Sequence, residues 1–169
     1  MKQQACVSTS SAKWLSPGLA RLYQRGEPLA FALLRICFGV IMMTHGLPKL
    51  MRTSHGSMVD PMAGSAWLIE TVLHLPRPEF FAIMVAVLEA VGGLLLVLGL
   101  GTRLIAAAMA IQMAAISYIL GPTWPWIDRG IEYPVLMLFL CVYFSVRGAG
   151  RYSLESRIRR SQLAGEQAD

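Results

Sequence analysis

The sequence predicts an all-α polytopic membrane protein, a bundle of four transmembrane helices, and three observations carry that prediction. Of 169 residues, 55% are hydrophobic and only 15% are charged, against about 25% charged in an ordinary soluble domain. Four stretches come close to the roughly 17 to 25 mainly apolar residues that a spanning helix needs. The basic residues gather outside those stretches, mostly toward the chain ends.

The first stretch runs from Leu29 to Leu47, entered after Gly26-Glu27-Pro28 and ended before Pro48. The second, Phe80 to Leu100, follows Pro76-Arg77-Pro78 and stops at Gly101. Arg103 to Leu120 forms the third and ends at Gly121-Pro122; Ile131 to Val146 forms a short fourth. Only Gly101 and Thr102 separate the second and third spans, which requires a tight antiparallel hairpin. The loop between the first two spans, 48–79, contains Ala66 to Leu75 with apolar residues at helical spacing. That segment is too short to span and reads as an interfacial or re-entrant helix. Trp124 and Trp126 stand where an aromatic belt belongs. The organisation is thus a tail over 1–28, a membrane domain over 29–148, and a C-terminal tail over 149–169, disordered from Ser161 onward.

Lys2, Lys13, Arg21, Arg25, Arg103, Arg147, Arg151, Arg157, Arg159 and Arg160 fall on one side of this layout, and Lys49, Arg52, Arg77 and Arg129 on the other. The positive-inside rule then places both termini in the cytoplasm. A nucleic-acid binder would carry its net charge of +5 as a stripe on a folded face. Here it suits a membrane surface, so the lipid bilayer and not nucleic acid is the expected partner. The length leaves no room for a separate dinucleotide-binding domain. Cys6, Cys37 and Cys141 make neither a disulfide framework nor a zinc site. The first residues lack the apolar core of a signal peptide.

Charges inside a bilayer cost about 2.5 to 3.5 kcal/mol each on insertion scales, so an embedded one is a functional hypothesis. Glu89 lies near the middle of the second span, and Arg35 and Gln112 fall within reach of its depth. These three form an expected buried polar relay, whose plainer role is a clamp between helices. Gly92 and Gly93 follow on the face of Glu89 and suit close helix packing. His45, Glu132 and Tyr133 are expected together at the outer mouth, near Lys49, Trp124 and Trp126. A group titrating near neutrality, a carboxylate and a phenol suit a quinone head group, and a hydrogen-bonded structural rim is the alternative. Met51, His55, Met58, Met62 and His74 are soft ligands at loose spacing, so no metal is assigned. Cys37 and Cys141 occupy similar depths and read as apolar filler.

The stretches LLRICFGVIMMTHGLPKL, LEAVGGLLLVLGLGTRLIAAAMAI and the later order WPW, GIEYP, GRYSLE resemble the DoxX family of small bacterial four-helix membrane proteins over about Leu33 to Glu155. The family's polar positions would be Arg35, His45, Gly46, Lys49, Glu89, Gly92, Gly93, Thr102, Arg103, Glu132 and the turn Gly150 to Leu154. The resemblance implies an inner-membrane subunit of a quinone-linked oxidoreductase, or of a complex handling thiols and oxidative stress. A quinone would then be its cofactor, and a redox partner protein would supply electrons. A second reading stays open: a non-enzymatic scaffold, or a module passing a small solute or protons, on its own or as a homo-oligomer.

Overall fold

The computed structural model describes residues 17–128 and 130–166. Cys6, Lys2, Lys13 and Arg129 lie outside the described residues. Among the described residues seven α-helices follow in order: α1 Pro17–Met51, α2 Pro61–Thr71, α3 Pro78–Val87, α4 Gly93–Leu98, α5 Thr102–Leu120, α6 Glu132–Arg147 and α7 Leu154–Glu166. A π-helical turn over Leu88–Gly92 joins α3 to α4, so the two continue as one rod. Among the described residues three segments are long and apolar enough to cross a membrane: Arg21–Met51, Pro78–Leu98 and Thr102–Leu120. The fourth expected span, α6, has 16 residues, or about 24 Å of helix, shorter than a hydrocarbon core of about 30 Å.

The first span differs most from expectation. It begins before Pro28, continues through Pro48 and ends only at Met51, where Arg52 turns to a positive φ of 53°. An internal proline removes one backbone bond and costs about 3 kcal/mol. Tertiary packing of the last turn, through Lys49, offsets that loss, as described below. In the following loop, α2 starts and ends several residues earlier than the Ala66 to Leu75 pattern predicts. Asp60 caps it by accepting from the amides of Met62 at 3.0 Å and Ala63 at 2.9 Å, with Pro61 in the first turn. The C-terminal segment is a further correction. Its residues from Ser161 to Glu166 continue α7, because Ser153 caps that helix by accepting from the Ser156 amide at 3.1 Å.

Each span buries one stripe at helical spacing. On α1 it reads Phe31, Arg35, Phe38, Gly39, Met42 and Gly46; on the second span it includes Ala82, Ala86, Glu89, Gly93 and Leu96. The two rods meet at glycine. A Cβ on Gly39 would lie 2.6 Å from the Gly93 carbonyl oxygen, and one on Gly93 would lie 2.7 Å from that of Gly39. Only hydrogen at both positions permits this approach, the usual route to tight packing where no hydrophobic force drives helices together. Gly92 faces α5 instead, toward Met109 and Ile105. Phe144 of α6 closes the core, edge-on to Phe31 at 5.8 Å and Phe38 at 5.4 Å. Cys141 is fully buried beside it, whereas Cys37 is exposed on the outside of α1, so the two thiols do not share an environment. The periodicity of α1 accounts for this: Cys37 falls between the inward positions Arg35 and Phe38 and Gly39, on the opposite face.

Candidate functional site

Glu89 enters the interior on the π turn, 11 residues after Pro78 and nine before Leu98, about 16 and 14 Å from the two ends of the rod. π-turns are rare and recur at functional sites. The carboxylate is 2% exposed and fully engaged. Lys49 Nζ donates to both of its oxygens, at 2.9 Å to Oε1 and 2.7 Å to Oε2, and Gln112 Nε2 donates to Oε1 at 2.6 Å. A charge held by a cation and an amide in this way avoids the penalty of an unpaired ion in hydrocarbon.

Lys49 reaches Glu89 only because α1 continues past Pro48. Gly46 packs against Ala86 and Glu89, where a Cβ would stand 2.7 Å from Glu89 Cβ and 2.8 Å from the Ala86 oxygen. One turn later, the lysine stem leaves α1 toward the middle of the bundle; its side chain is 11% exposed. Lysines near span ends ordinarily extend outward to water, and this one extends inward. The sequence signal was Lys49 three residues after Gly46 on the inward stripe, obscured by a proline that reads as a helix end.

A cavity of about 770 Å³ opens against this triad. Lys49 and Gln112 lie at its inner end; Leu68, Ile69 and Leu73 of and after α2 cover one side, and α3 and α5 supply apolar walls. Ile83, Met84, Val87 and Ile111 line it and are also exposed on the outside of the spans, so the cavity opens sideways, toward lipid. Its walls are apolar apart from Lys49, Ser65 and Gln112. Gln112 Oε1 is buried without a hydrogen-bond partner among the described residues. Pockets of this size that combine apolar walls with a few convergent polar groups are the usual form of a small-molecule site.

The other expected site residues lie elsewhere. Arg35 does not join Glu89. It stands 14 residues before Lys49, about 21 Å along α1, and past the Gly39–Gly93 crossing, where it faces the turn after α4. Its Nη2 donates to the Tyr152 carbonyl at 2.7 Å, and Gly99 packs directly on its guanidinium. His45 is exposed and meets the ring of His55 at 5.1 Å, edge to face. Glu132 and Tyr133 open α6, which packs mainly on α5. None of these three lines the cavity. The expected mouth assumed that equal depth means proximity, but α1 turns His45 away from the interior while the stripe through Met42, Gly46 and Lys49 faces inward.

The DoxX family model matches residues 30–121, more than half of the chain. The chain belongs to the DoxX family. The match includes α1 from residue 30 onward, α2, the whole second span and α5, and hence Lys49, Glu89 and Gln112; α6 and α7 lie beyond it. This DoxX protein is similar to "Putative oxidoreductase CatD" of Bacillus subtilis, 23% identical over 79% of this chain and 90% of that protein. It is also similar to an "Uncharacterized protein" of Haemophilus influenzae, 28% identical over 79% of this chain and 94% of that protein. No solved structure matches.

Proposed function

We propose that this DoxX protein binds the head group of a membrane quinone in the lateral cavity, as the membrane subunit of an oxidoreductase whose electrons come from a partner protein. The observation that carries the reading is the junction of an apolar, bilayer-facing cavity with a buried Lys49–Glu89–Gln112 triad. A quinone needs hydrogen-bond donors at its carbonyl oxygens and, on reduction to the quinol with two electrons, two protons. Lys49 Nζ supplies a donor beside the cavity. The unpartnered Gln112 Oε1 supplies an acceptor for a quinol hydroxyl. Glu89 holds the lysine in place and is the carboxylate through which a proton would pass. The apolar walls contributed by α3 and α5 suit an isoprenoid tail entering from lipid. The name of the Bacillus relative points the same way.

In this reading the protein lies in the bacterial inner membrane with both termini cytoplasmic. With Lys49 drawn into the bundle, the end bearing α2 keeps only Arg52 and Arg77 among its described cations, while the other end carries Arg21, Arg25, Arg103, Arg147 and the arginines of the C-terminal segment.

The test is binding of decyl-ubiquinone to the purified full chain in detergent, by quenching of intrinsic tryptophan fluorescence. Lys49→Met and Gln112→Leu are expected to weaken binding at least ten-fold, with Glu89→Gln intermediate. Failure of the wild-type protein to bind saturably, or equal affinity in all variants, overturns the proposal.

A further inference from the structure

At the end of the bundle opposite the triad, a second cavity of about 480 Å³ lies between the last turn of α4 and the start of α7. Val97, Leu98 and Leu154 form its apolar part, and Arg151, Arg157 and Arg160 bring three guanidinium groups to the rest. Among the described residues no acidic side chain lines it. We infer that this cavity binds a phosphate group carried at the membrane surface, with the three arginines on the phosphate oxygens and the adjoining lipid chain against Val97 and Leu98.

The arginines, and not the end of α7, would do the binding. The first amides of that helix already have partners: Glu155 N donates to the Gly99 carbonyl at 3.3 Å and Ser156 N to Ser153 Oγ at 3.1 Å. Those bonds hold α7 against the span end, so Arg157 and Arg160, three residues apart, project from one side of it together. Arg151 joins them from the preceding turn, whose carbonyl accepts from Ser156 Oγ at 2.6 Å. Behind the wall formed by Tyr152 and Ser153 stands Arg35. It is 1% exposed, and its Nε and Nη1 have no hydrogen-bond partner among the described residues. This buried cation therefore adds to the field of the three exposed ones. Guanidinium matches a phosphate through two parallel hydrogen bonds. The position also fits a lipid: Val97 and Leu98 are the last residues of a membrane span, so the cavity joins hydrocarbon to water.

The same chemistry could come from a lipid head group or from free phosphate, and one experiment distinguishes them. The full chain in detergent is titrated with short-chain phosphatidylglycerol, with phosphatidylcholine and with inorganic phosphate. Retained lipid is counted by native mass spectrometry, and phosphate binding is followed by calorimetry. A basic side chain near an anionic surface contributes roughly a five-fold gain in affinity. Arg157→Gln is thus expected to weaken phosphatidylglycerol binding roughly five-fold and Arg157→Gln with Arg160→Gln roughly 25-fold. Arg159→Gln, which removes the same charge from a residue outside the cavity, should change it less than about two-fold. Unchanged melting temperatures exclude misfolding. Inorganic phosphate binding alone, with the same dependence on Arg157, would support the site and assign it a soluble ligand. Equal losses in Arg157→Gln and Arg159→Gln, or no preference for the anionic lipid and no phosphate binding, would overturn the inference.

Discussion

Two buried cations of α1, Lys49 and Arg35, solve the same problem in different ways. Lys49 is neutralised by a carboxylate, at the cost of burying a second charge, and the resulting pair borders a cavity. Among the described residues Arg35 has one backbone carbonyl for company; Gly99 packs on its guanidinium, and Tyr152 and Ser153 stand between it and the second cavity. Depth in a membrane protein thus identifies an unusual charge but not its purpose. The surroundings decide: Lys49 lines its cavity directly, whereas Arg35 is walled off from the nearest one and ties α1 to the turn at Tyr152.

Breaking the pair should have the largest effect. Glu89→Ala leaves Lys49 buried without its counter-ion, a loss of about 3 to 5 kcal/mol, to be read from unfolding in detergent. Combining it with Lys49→Met should recover most of that stability, since replacing both members of a buried pair by apolar groups is often neutral. A double variant no more stable than Glu89→Ala would mean that the ion pair is not the source of the loss. Arg35→Met should be milder, about 1.5 to 3 kcal/mol for one hydrogen bond from a charged group. Its signature should be local, with faster hydrogen exchange at residues 150–156 and decyl-ubiquinone affinity within about two-fold of wild type. A large loss of quinone affinity would erase the contrast between the two cations. His45→Ala should have the smallest effect, within about 0.5 kcal/mol, because its ring is exposed and packs only edge-on against His55 among the described rings. Loss of quinone affinity in that variant would move the site to the mouth of the bundle.

Much of the fold was legible because hydrophobic length is a strong signal. Three of the four stretches match their helices within two residues at each end. The exception, the first, failed at its prolines, which read as boundaries when the chain is considered alone. Glu89 and Gln112 could be paired by counting residues from the hairpin at Gly101, since a two-residue turn fixes the register of its helices. Arg35 and Lys49 could not be ordered that way, because the long loop between the first two spans leaves their register open. That register is set by the glycine contact between Gly39 and Gly93, which brings Lys49 and not Arg35 toward Glu89. The cavity was beyond reach of the sequence for a related reason. It exists because α2 folds back on α3, and the apolar pattern of α2 does not specify the helix it will cover.

The π turn at Leu88–Gly92 divides the second span into two halves that are out of phase. Its i→i+5 bonding inserts one extra residue into a turn, and one residue of an α-helix corresponds to about 100° of rotation. The half nearer α2 can therefore be oriented toward α2 and the cavity while the other half keeps Gly93 against Gly39. Deleting a single residue within Leu88–Gly92 would restore a regular helix and rotate one half against the other, like a key turned in its lock. The chain would retain its hydrophobic length and its capacity to cross the bilayer, yet Glu89 and the walls of the cavity could no longer both face their partners.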